Sequence, residues 1–178
     1  MNRREFLATA GATLGTTLAG CASGQGLGYD VAMVSNAFLP GSTVEVPADA
    51  PEWISPEVPT VEVRVGDTVI WENTDSRIHT VTAATERHPE AEAMLGPQEG
   101  ETPQERTPRL PAPDTFFASG DFQDEITAVQ EFFDQLNGGG AIPPGEQYAH
   151  TFQTPGWYHY YCIPHETAGM VGNVHVLE

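Results

Sequence analysis

Residues 160–172, Y-Y-C-I-P-H-E-T-A-G-M-V-G, constrain the fold more than any other stretch. They carry Cys162, His165 and Met170 at a C-x2-H-x4-M spacing. A thiol, an imidazole and a thioether on one short loop can face a single point. Soft sulfur with imidazole suits copper in both oxidation states, and a trigonal His2Cys set with a weak axial Met is the ligand set of an electron-transfer copper site. The loop holds one histidine, so a second has to come from a strand packed beside it. The plainer alternative is a turn with one core Cys, one surface His and one core Met; residue type, order and spacing together favour the metal.

Such a strand framework is legible elsewhere in the chain. Eighteen Gly, 15 Pro and short aromatic runs in 178 residues favour one loop-rich β domain over a helical bundle. Strands are expected over 29–38, 43–46, 60–65, 68–72, 78–82, 115–118, 147–153, 157–162 and 172–177. The 60–65 and 68–72 runs, joined by Gly66-Asp67, read as a hairpin. On the 157–162 run, Tyr158, Tyr160 and Cys162 share the inward face, and Trp157, His159 and Tyr161 the outward one. Residues 47–59 hold four prolines and read as an irregular excursion around Trp53; 97–113 hold five and read as surface coil. Residues 89–94 suit one or two helical turns. The clearest helix is 121–136, with Ile126, Val129, Phe132, Phe133 and Leu136 as its apolar stripe. The expected architecture is all-β: a Greek-key sandwich of about eight antiparallel strands with one inserted helix.

The N-terminus reads as an address. Arg3-Arg4 ahead of a weakly apolar stretch is a twin-arginine start, and Leu18-Ala19-Gly20-Cys21 resembles a lipobox. Residues 1–20 are thus expected to be a removed signal peptide, with lipid on Cys21 and 21–28 as a tether to the outer face of the cytoplasmic membrane. The domain itself is expected over 29–178. With Cys21 lipidated, Cys162 is the one remaining thiol of an exported chain, and metal ligation gives it a reason to persist.

The formal charge is −18, from 25 acidic residues and 7 basic ones, all Arg. Losing Arg3, Arg4 and Glu5 with the signal leaves 24 acidic and 5 basic, a net −19. Nucleic acid is excluded as a partner by this balance. The acidic residues are scattered, as expected of a surface adapted to high salt, where screening tolerates self-repulsion.

Of the six histidines, His79 shares an inward face with Val81, after a polar turn at 74–76. His88 lies in a Pro-rich acidic loop, and His159 and His175 take outward positions. His150, on one face with Tyr148 and Phe152, is the serious rival. His79 is the favoured second imidazole because the loop alone leaves a copper set incomplete.

The stretches G-D-T-V-I-W-E-N-T-D-S-R-I-H-T-V (66–81), P-G-E-Q-Y-A-H-T-F (144–152) and P-G-W-Y-H-Y-Y-C-I-P-H-E-T-A-G-M-V-G-N-V-H-V (155–176) resemble type 1 (blue) copper proteins of the plastocyanin and azurin family. Among these the membrane-attached halocyanins of salt-loving archaea are the nearest in character. The resemblance implies a cupredoxin-like sandwich holding one copper ion that cycles between Cu(I) and Cu(II). It implies His79 and His165 as imidazole ligands, Cys162 as thiolate and Met170 as axial thioether. It implies an electron carrier, a monomer, exchanging electrons with membrane redox complexes through the edge of His165. Ile78, Pro164, Ala168 and Gly169 would form the apolar docking surface. Tyr161 is either a second electron port or an aromatic covered by the insertion. Thr80 stands where plastocyanins usually have Asn, and its hydroxyl is expected to do part of the work of tying the ligand loop. Residues 83–141 exceed the small family members as an enlarged insertion.

Two other classes compete. A copper enzyme needs further metal sites, commonly His-x-His pairs, or a second Cys in the loop, and the sequence has neither; the chain is expected not to be an enzyme. A copper-delivery protein favours Met- or His-rich clusters, and only four Met are present.

Overall fold

The computed structural model describes residues 28–85, 89–96, 109–135 and 138–178. The signal peptide, Cys21, most of the tether, His88, Leu136 and most of the 97–113 coil lie outside the described residues.

Among the described residues, eight strands form two four-stranded sheets. In chain order they are β1 (Val31–Val34), β2 (Ala37–Pro40), β3 (Thr60–Arg64), β4 (Thr68–Asn73), β5 (Thr82–Ala83), β6 (Gln147–Thr151), β7 (Gly156–Tyr161) and β8 (Val171–Leu177). One sheet runs β2-β1-β4-β6 and the other β3-β8-β7-β5. Inward residues of the two sheets meet in one apolar core: Val31, Met33, Phe38, Val69 and Trp71 from the first, Val61, Tyr158, Tyr160, Val174 and Val176 from the second. Aromatic edges lock the layers, with Tyr160 4.7 Å from Phe38 and 5.4 Å from Trp71 between ring centroids. Gly172 is required here, because a Cβ at that position would stand 2.5 Å from the Tyr160 ring.

Strand pairing departs from the sequence expectation. β3 and β4 are not a hairpin: β3 pairs in parallel with β8, and β4 pairs in parallel with β1 and antiparallel with β6. The Gly66-Asp67 turn carries the chain from one sheet to the other, with the Gly66 N–H donating to the Phe152 carbonyl at 2.7 Å. Alternation reports which face of a strand is buried, not which strand it pairs with. The single strand expected over 29–38 is instead the β1–β2 hairpin, turned at Ser35 with φ 55°. Residues 43–46 form no strand and touch β3 through one bond, Val44 N–H to the Thr60 carbonyl. The 78–82 run pairs only at its ends, as a bridge from His79 to Ile142 and as β5. Residues 113–115 form a 3-10 turn, and Ala118 makes a single bridge to Thr82.

The insertion contributes α1 (Pro89–Leu95) and α2 (Glu125–Asp134). α2 starts four residues later than expected. Asp121 has φ 56°, outside helical space, and Asp124 caps the helix by accepting the Thr127 N–H at 2.8 Å. Its inward face is Glu125, Ala128 and Val129, while Phe133 is 48% exposed. Ala128 and Val129 join Ala84, Ala91, Leu95, Ala118, Tyr161 and Ile163 in a second core on the outer face of β7. Among the described residues, no helix is long and apolar enough to cross a membrane.

Candidate metal centre

β7 delivers Cys162 to the end of the sandwich, where a 3-10 turn over Ile163–Ala168 follows at once. The turn closes on itself through backbone bonds among the same three residues that the spacing singled out. His165 N–H donates to the Cys162 carbonyl at 3.0 Å, Met170 N–H to the His165 carbonyl at 3.1 Å, and Cys162 N–H to the Met170 carbonyl at 3.1 Å. Gly169, at φ 83°, supplies the left-handed residue that ends the turn. Met170 is fully buried in the same core cluster as Cys162.

His79 arrives from the other side. Its N–H and carbonyl bridge Ile142, and the loop before it is held by Asn73, whose Nδ2 donates to the Arg77 carbonyl at 2.6 Å and the Ile142 carbonyl at 2.7 Å. The outcome is a cluster of His79, Cys162 and His165 whose candidate ligand atoms all lie within 4.8 Å of one another. Cys162 Sγ is 3.6 Å from His79 Nδ1 and 3.4 Å from His165 Nδ1. A metal with sulfur at about 2.3 Å and imidazole nitrogen at about 2.0 Å, near the tetrahedral angle, separates those atoms by about 3.5 Å. The donor set and its spacing therefore fit a metal bound through both Nδ1 atoms and the thiolate.

Burial sets the charge state. It pushes the Cys162 thiol up to about 11, against the partial relief of the Thr80 N–H, which donates to Sγ at 3.4 Å. It also lowers His79, although Asp75 nearby acts in the opposite sense, and it lowers His165, helped by the neighbouring His79. At neutral pH without metal the three groups are a thiol and two neutral imidazoles. The imidazoles are ready to ligate, and the thiol must first lose its proton.

Thr80 ties the loop as expected: its Oγ1 accepts the Ile163 N–H at 2.8 Å while its own N–H points at Cys162 Sγ. His150 stands apart from the cluster, stacked on Phe117 at 4.7 Å and edge-on to Phe152. His159 and Tyr161 take the outward side of β7, yet both are buried, and Tyr161 lies in the second core with α2. His159 Nδ1 pairs with Asn173 Oδ1 at 2.8 Å, and the Tyr161 hydroxyl donates to Glu125 Oε1 at 2.7 Å. Of the two roles open to Tyr161, the structure favours the covered aromatic. Sequence reasoning missed Glu125 and Asp75. Asp75 was visible four residues before His79, but only as part of a polar turn.

Comparison with known proteins gives the same chemistry. Residues 43–177 match the model of the copper binding proteins of the plastocyanin/azurin family. A plastocyanin from Prochlorothrix hollandica is 56% identical over 36 residues, 20% of this chain and 28% of that protein; the chain thus spans under a third of that relative's length. Similar solved structures include a purple cupredoxin from Nitrosopumilus maritimus, at 21% identity and TM-score 0.34, covering 66% of this chain and 77% of that one. Another is the auracyanin of Roseiflexus castenholzii, at 18% identity and TM-score 0.39, covering 83% and 94%. With one copper as the family's cofactor and a matching donor cluster at the end of its sandwich, the chain belongs to the plastocyanin/azurin family of copper-binding proteins.

Proposed function

We propose that this protein is a mononuclear type 1 copper electron carrier. Copper would be held by His79 Nδ1, Cys162 Sγ and His165 Nδ1, with the Met170 thioether as a weak fourth donor. The observation that carries the reading is the approach of two Nδ1 atoms to one buried sulfur at 3.6 and 3.4 Å. When bound, copper supplies one-electron chemistry between Cu(I) and Cu(II). The chain supplies a scaffold that changes little between the two states: a loop closed by its own backbone, a second ligand set in a bridge, and a sulfur anchored by the Thr80 N–H. Four protein donors leave no position for substrate, which separates a carrier from an oxidase.

Electrons pass at His165, which is half-buried at the surface end of the loop. Ile78, 36% exposed beside His79, and Ala168 and Gly169, exposed in the loop of His165, offer apolar contact area for docking. The partners are membrane redox complexes. The halocyanin-like sequence, the twin arginines and the lipobox support a carrier tethered through Cys21 outside the cell, with an acidic surface suited to salt.

The test is the absorption and EPR spectrum of the copper-loaded protein. An intense blue thiolate-to-copper band is expected, and Cys162→Ser abolishes it. His79→Gly opens the site to external imidazole, whereas His150→Gly leaves the colour unchanged. A colourless, redox-silent copper complex of the unsubstituted protein refutes the carrier and leaves copper delivery as the reading.

A further inference from the structure

Asp75 lies four residues before His79, in the turn that follows β4. Its Oδ2 accepts the Ser35 N–H at 2.7 Å and Arg77 Nε at 3.2 Å, and its Oδ1 accepts the Ser76 N–H at 2.6 Å. Its own N–H donates to Asn73 Oδ1 at 3.0 Å. The carboxylate is thus clamped from two turns, its own and the β1–β2 turn at Ser35. So held, Oδ2 stands 3.5 Å from His79 Nε2. That nitrogen is buried and makes no hydrogen bond, while Nδ1 of the same ring faces Cys162 Sγ. At 3.5 Å the contact is electrostatic and not a formed hydrogen bond. It acts where solvent screens little: His79 is wholly buried and the Asp75 side chain is 16% exposed.

We propose that Asp75 is a positioning residue for the copper centre. It holds His79 as the Nε2–H tautomer, leaving the Nδ1 lone pair for the metal, and its charge biases the centre toward Cu(II), lowering the reduction potential. A neutral imidazole carries one proton, and a fixed carboxylate beside Nε2 decides which nitrogen keeps it. The same negative charge stabilises the more positive oxidation state. Arg77 shares Oδ2 but damps the effect without cancelling it, because its side chain is 43% exposed and screened by water. The inference rests on His79 being a ligand.

Asp75→Asn keeps the shape and an acceptor oxygen and removes the charge. In the copper-loaded full chain its midpoint potential is expected to rise by the equivalent of roughly a tenfold change in the Cu(I)/Cu(II) preference, about 59 mV for a one-electron couple. The blue band should persist. An unchanged or lowered midpoint with the band intact overturns the role of Asp75 and leaves His79 as a ligand. Absence of the band from the unsubstituted protein overturns both. If the variant does not fold, the unsubstituted Cu(I) protein supplies the measurement by nitrogen-15 NMR. His79 is expected to carry a slowly exchanging proton on Nε2. A proton on Nδ1, or one that exchanges rapidly with water, overturns the proposal.

Discussion

The ligand loop and the insertion meet on the same strand, and they are held in opposite ways. Cys162, His165 and Met170 are linked by backbone bonds within nine residues of chain. The insertion is held by side chains it brings from far away: Val129 and Ala128 on Tyr161, and Glu125 under the Tyr161 hydroxyl. Successive residues at the end of β7 and just beyond it answer to different neighbours. Tyr160 packs on Trp71 in the sandwich core, Tyr161 is covered by α2, and Cys162 opens the metal cluster. Short-range bonding makes the loop a self-contained unit. Long-range packing makes the insertion a second core, which reaches Tyr161 and Ile163 on either side of Cys162.

If the loop is self-contained, its chemistry follows from its own protons. Cys162 is pushed up to about 11 by burial, so copper must displace the thiol proton. Apparent copper affinity is expected to climb about tenfold per pH unit from neutral toward that value. A chelator-competition titration measures it, and a flat profile above neutral breaks the picture. Without copper the signs differ. The lowered imidazoles His79, His150 and His165 cost stability as the pH falls below about 6.5, where the unfolded chain takes protons that the fold refuses. The raised thiol costs stability above about 8.5, where the unfolded chain releases a proton that the fold retains. The apo fold is therefore most stable between those limits, as urea melts across pH would record.

Glu125 is the sharpest probe of the other region. Its carboxylate accepts from the Tyr161 hydroxyl and from the Thr85 N–H and hydroxyl. Glu125→Ala strands those donors in a buried or partly buried place and, at about 1–3 kcal/mol for each group left unsatisfied, is expected to cost about 3 kcal/mol or more in urea unfolding. The blue band of the copper form should survive. Loss of colour in the folded variant would make the insertion part of the metal site. Thr80→Val is the smaller, converse test. It removes the acceptor for the Ile163 N–H, with an expected cost of about 1–3 kcal/mol, and unlike Glu125→Ala it should shift the band, because Ile163 follows Cys162 directly.

The loop was readable because its chemistry needs particular atoms at a fixed spacing, and the sequence states both. Thr80 as the tie of the loop was readable through resemblance. Pairing was less so: the alternation of Val61, Val63 and Val65, then Val69 and Trp71, placed Val61, Val69 and Trp71 inside, but Val63 is only partly buried and Val65 is 41% exposed, and it suggested a hairpin that does not exist. The apolar stripe assigned to α2 included Phe133, which is exposed, and omitted Ala128, which is buried. A small side chain gives a weak signal even where close packing depends on it.

By itself the sequence determined donor types, their spacing in the loop, and the inward face of each strand, since these depend on covalent order and on the two-residue repeat of extended chain. Tertiary structure alone decided that β3 and β4 part into different sheets, that an outward face of β7 becomes a second interior, and that a turn aspartate stands behind the histidine. These depend on where distant backbone comes to rest, and no local pattern encodes that.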